Sequence, residues 1–68
     1  MRARLEDGLL LVDFNSRGWN PQEVMEMDEK QFDRFINISK SNYESFEDME
    51  LSHLVDVIIT MAIDGDIK

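Results

Sequence analysis

The chain contains no cysteine. Disulfide staples and thiolate metal sites are excluded, so a domain this small must be held by its apolar core alone or with a partner's help. A single histidine, His53, cannot build a His-rich metal centre, and a general base needs a nucleophile and a pocket beside it. Standing near Glu50 and Asp56, His53 reads as a surface or boundary residue. Long hydrophobic runs are missing as well. The N-terminal run Leu9–Val12 is four residues long and is followed by Asp13, too short for a signal peptide or for the ~20 residues of a membrane span. The expectation is a soluble, cytoplasmic protein.

Positive charge is also scarce. Seven lysines and arginines stand against fifteen aspartates and glutamates, a net charge of −8. The imbalance is uneven along the chain. Glu6, Asp7 and Asp13 are matched by Arg2, Arg4 and Arg17, whereas Glu44, Glu47, Asp48, Glu50, Asp56, Asp64 and Asp66 are followed only by Lys68. Affinity for a phosphate backbone comes from lysine and arginine, so direct nucleic-acid binding is disfavoured. A basic protein surface is the better charged partner.

Sixty-eight residues make one small domain, 1–68, because a chain of this length buries only about 60% of its unfolded surface. Asp7-Gly8 supplies the positive φ angles of a tight turn, with Ala3–Glu6 before it and Leu9–Phe14 after it. This predicts a β-hairpin over about 2–14. The alternative is an extended arm, since Leu9-Leu10-Leu11 does not alternate and leucine favours helix. Asn15-Ser16-Arg17-Gly18 then forms a short connection.

Two helix-start signals follow, with their caps eight positions apart. In the first, Asn20 caps, Pro21 takes the first helical position, Glu23 reaches back, and Trp19 staples to Val24. In the second, Asp28 caps, Gln31 is its reciprocal partner, and Met27 staples to Phe32. The reading is a short helix over about 21–26 leading into a longer one over about 29–40. On the longer helix Phe32, Phe35, Ile36 and Ser39 share a face, flanked by Ile38, while Lys30, Asp33, Arg34 and Asn37 lie outside. A third helix spans about 50–64 and closes at Gly65. Its run Val57-Ile58-Ile59-Thr60 would also suit a buried strand, but fifteen residues fit a helix better. The expected class is α+β, mainly α: an N-terminal hairpin, one short helix and two longer ones.

No glycine-rich phosphate loop, nucleophile elbow or paired-carboxylate motif occurs, so the expectation is a non-enzyme without cofactor or metal. Asp64-Gly65-Asp66 lacks the twelve-residue span and terminal glutamate of a calcium loop and reads as a helix C-terminus. Two features are left for binding a partner. Glu44, Glu47, Asp48 and Glu50 are dense enough to meet a basic surface, although acids ahead of a helix also suit its positive end. The third helix carries more apolar surface than one core face needs. Val57, Ile59 and Ile63 are the candidate contacts there.

The string Gly-Trp-Asn-Pro-Gln-Glu-Val-Met-Glu-Met-Asp-Glu-Lys-Gln-Phe, residues 18–32, resembles a pattern in small tail-assembly proteins of long-tailed bacteriophages. Those proteins carry a tryptophan, then a proline, an acid, an aliphatic residue and a methionine or leucine before a second helix. The matching positions are Trp19, Pro21, Glu23, Val24, Met27 and Phe32. The resemblance implies a chaperone, active in the host cytoplasm, that shields tail subunits or the tape-measure helix through apolar and acidic surfaces. Two other roles fit the composition: an acidic inhibitor or regulator occupying the basic, nucleic-acid-binding surface of another protein, and a structural subunit of a homo-oligomer.

Overall fold

A computed structural model describes residues 1–14, 18–42 and 49–67. Its elements are strands β1 (Arg2–Glu6), β2 (Leu9–Asp13) and β3 (Gln22–Glu26), then helices α1 (Glu29–Asn42) and α2 (Leu51–Ile63). The α+β class holds, with the helices the larger share.

The N-terminal hairpin forms where the turn chemistry places it. Asp7 and Gly8 take φ angles of +53° and +76°, the pair of positive values that a two-residue turn needs to match the twist of its strands. Leu5 then faces Leu10, and Glu6 faces Leu9. The turn therefore sets a register in which Leu5 and Leu10 share a face with Ala3 and Val12.

The short helix expected over 21–26 does not exist: Gln22–Glu26 is strand β3, antiparallel to β2. An isolated two-stranded hairpin is marginal in water, and the free edge of β2 exposes a row of unpaired backbone groups that a third strand satisfies. That gain outweighs a local capping pattern. Asn20 is accordingly exposed and starts no helix. Pro21 lies just ahead of the strand, where its missing N–H removes no ladder bond. The β2–β3 register shifts between Leu10, which faces Met25, and Leu11, which faces Glu23, so Val24 is the extra residue of a bulge. The staple between Trp19 and Val24 fails with the helix. Beyond the strand, the Met27 N–H donates to the Gly8 carbonyl at 2.8 Å.

The second start signal is real. The Gln31 N–H donates to Asp28 Oδ1 at 2.7 Å, and the Asp28 N–H donates to Gln31 Oε1 at 2.9 Å, a reciprocal capping box that satisfies two orphan donors. Met27 is buried, and Phe32 packs against the same core. Phe35, Ile38 and Ser39 are the buried residues of α1, and the Ser39 hydroxyl donates to the Phe35 carbonyl at 2.8 Å. A buried hydroxyl is thus satisfied within its own helix. At the far end, α2 closes as the glycine predicts. The Gly65 and Asp66 N–H groups donate to Ala62 and Met61, with Gly65 at φ +81°, the bonding of a Schellman motif.

One face of the sheet makes the core. Leu10 and Val12 of β2 lie against Phe35 and Ile38 of α1 and Leu54, Val57 and Met61 of α2, with Met1, Met27 and Met49 closing the ends. Both helices cover that face, and the smallest extent of the molecule, 16 Å, is that of two layers.

The two capping signals make opposite predictions under mutation. Asp28→Ala lowers stability by about 1 kcal/mol in urea denaturation, as loss of a working N-cap does. Asn20→Ala stays within about 0.5 kcal/mol, the range of an exposed site without such a role.

Candidate interaction surface

Each residue of an α-helix advances about 100° around the axis. On α2 this places Leu54, Val57 and Met61 together, and these are its buried residues. Val57, a candidate contact on sequence, is 1% exposed and belongs to the core. The remaining apolar side chains have no such cover. Leu51, Val55, Ile59 and Ile63 are 62, 47, 50 and 79% exposed and recur every fourth residue along the whole helix. Ile59 and Ile63 were legible as surface candidates; Leu51 and Val55 were missed.

The stripe also turns away from α1. Arg34 of α1 bonds Asp64 at 3.4 Å and Asp66 at 3.0 Å, and the Gln31 side chain donates to the Asp66 carbonyl at 3.1 Å. The hydrogen bond and charge of Asp66, followed by those of Asp64, raise the Arg34 pKa above its ordinary value. Asp64 lies roughly opposite the stripe on the helical wheel, so its ion pair marks the α1 side. The stripe therefore faces neither the sheet nor the neighbouring helix. Contiguous apolar surface left uncovered in this way marks a docking site more often than scattered single residues do.

The acids are divided. Glu44, Glu47 and Asp48 lie outside the described residues. Glu50 is exposed at the start of α2, where its N–H donates to His53 Nδ1 at 3.2 Å. His53 is thus half-buried in the first turn and acts in capping. Asp56 is exposed beside the stripe. Asp64 and Asp66 are engaged by Arg34 and form a helix C-terminus. Among the described residues no group of three His, Asp or Glu side chains could hold a metal ion, and no helix is long and apolar enough to cross a membrane.

A groove of about 710 Å³ is bordered by Asp7, Glu26, Asp28 and Asp66 and floored by Met25 and Met27. Asp28 caps α1 and Asp66 holds Arg34, so half of its carboxylates already have structural tasks. On the other face of the sheet, Trp19 takes a role that the capping pattern did not suggest. The Arg4 guanidinium sits 4.5 Å from its ring centroid and that of Arg2 5.4 Å. Arg2 also pairs with the buried Asp13 and donates to the Gly18 carbonyl, while Arg4 pairs with Glu6 at 2.8 Å. This cation–π stack packs the segment after β2 against β1.

Compared with known proteins, the chain matches no family model, no curated protein and no solved structure.

The Trp19 stack is testable by itself. Arg4→Ala lowers stability by about 0.5–1 kcal/mol, the worth of a solvent-accessible cation–π contact, and shifts Trp19 fluorescence to the red. Unchanged emission and an unchanged urea midpoint would show that the stack contributes nothing.

Proposed function

We propose that this chain is a non-catalytic protein–protein interaction module that docks a partner on the outer face of α2. One observation carries the reading: Leu51, Val55, Ile59 and Ile63 form an unbroken exposed stripe on a helix whose opposite face is fully used by the core. Burying apolar surface is the main favourable contribution to association, and a stripe at helical spacing is the form in which helices offer it.

Within that class, the resemblance of residues 18–32 to bacteriophage tail-assembly proteins supports a chaperone role on a tail or tape-measure polypeptide. The start of α1 at Asp28 and Gln31 agrees with that pattern. The segment before it is strand β3, where the pattern implies a first helix.

The test is protection from aggregation. A tape-measure or tail-tube polypeptide is diluted from denaturant, and light scattering is followed with and without this protein. The wild-type chain suppresses scattering. The Ile59→Ser/Ile63→Ser double variant does not, although at such exposed sites each change shifts its stability by only about 0.5 kcal/mol. Protection persists at about 1 M salt, where the Debye length is about 3 Å. Equal protection by the double variant would remove the α2 face from the reading. Steep loss of protection in salt would instead support an acidic occupant of a basic surface.

A further inference from the structure

The docking reading leaves the occupant open, and the spacing and charge of α2 select one. We infer that α2 receives a basic amphipathic helix of another protein along a seam made by Leu51, Val55, Ile58 and Ala62. The inference rests on the proposed docking function and adds the chemistry of the partner.

Spacing identifies a helix. The four seam residues are separated by four, three and four positions, the 3.5-residue rhythm on which two helices pack lengthwise, and at 100° per residue they fall within an arc of about 60°. Ile58 is half-buried against the core and is thereby braced, whereas Ala62 is exposed and small enough for a second backbone to approach closely. Ile59 and Ile63 flank the seam on the solvent side. The shape is a shallow apolar ridge about 20 Å long, set by the 13 residues of α2.

Charge identifies the kind of helix. No lysine or arginine occurs from Tyr43 through Ile67; of the exposed acids, Glu50 caps the helix start and Asp56 lies about 100° round the helix from Val55, beyond Ile59 and Ile63. A second copy of this chain would bring a net charge of −8 against −8. Like charges across an interface cost several kcal/mol. A ridge about 20 Å by 10 Å also presents only about 200 Å², far below the ~800 Å² per partner of a stable interface, so apolar burial alone is a weak counterweight to that repulsion. A partner helix with lysine or arginine beside its apolar face turns the same charges into attraction and speeds encounter.

The probes are a synthetic helical peptide with leucine at heptad positions a and d and lysine at e and g, and its counterpart with glutamate at e and g. Each is titrated into the full chain by calorimetry and by amide NMR. The lysine peptide binds at least about tenfold more tightly than the glutamate peptide and shifts amides along Leu51–Ala62. Val55→Ser weakens the lysine peptide about tenfold, while Phe14→Ser, a control at another exposed apolar site, has no effect. High salt narrows the gap between the peptides but keeps the Val55 effect. Shifts spread over the acidic surface, with no response to Val55→Ser, would reduce the binding to charge attraction and overturn the proposal. Equal binding of both peptides through Val55 would keep the docking function and overturn the basic partner. A concentration-dependent mass abolished by Val55→Ser would make a second copy the occupant. If Val55→Ser fails to fold, the wild-type shift map alone decides between α2 and the acidic surface.

Discussion

The fold depends on strand β2 being paired along both edges while only one of its faces is used as core. Leu10 and Val12 are fully buried on that face, and they hold the ends of the molecule together because both helices pack against them. Pairing on two edges makes a three-stranded sheet from what would otherwise be a marginal hairpin. The opposite face is left to a thinner arrangement in which Trp19 lies beneath two guanidinium groups and Asp13 is buried beside Arg2.

A core of this size accepts a limited number of side chains. Among the described residues ten hydrophobic side chains form it, and α2 contributes three through one side only, although apolar residues cover about two thirds of its circumference. The rest of that surface is directed outward by geometry. The apolar stripe is therefore a consequence of the layer arrangement: among the described residues, one sheet face, two helices, and no third layer to cover α2. Function in this reading is what the core leaves uncovered.

Much of the fold was legible in the chain because local chemistry and tertiary need agreed. Asp7-Gly8 demanded positive φ angles, Asp28 and Gln31 formed a reciprocal cap, and Gly65 ended α2. Residues 21–26 were misread because the two levels conflicted. Asn20, Pro21 and Glu23 have the right types and spacing for a helix start, but the second edge of β2 needed a strand, and neither signal shows in a short window. The site was partly legible for a related reason. A helix that is apolar over about two thirds of its circumference does not announce which side docks, so Val57 was exchanged for Leu51 and Val55. The signal that could have settled it was polar: Ser52 and Asp56 mark the wet side, Ile63 lies between them on the wheel, and Ile59 and then Val55 follow next to Ser52.

In the isolated protein α2 has one buried and one free face. The lack of native cysteine makes this directly measurable, since a single introduced thiol is the sole reactive site. Thiol-labelling rates compared between Ile59→Cys and Val57→Cys should differ widely. The thiol at 59 reacts at the rate of a free peptide, and the thiol at 57 reacts only through unfolding, slower by orders of magnitude. Equal protection at both positions would mean that the stripe is already covered, and equal reactivity that α2 is not docked on the sheet. Either result would rule out a helix with one buried and one free face.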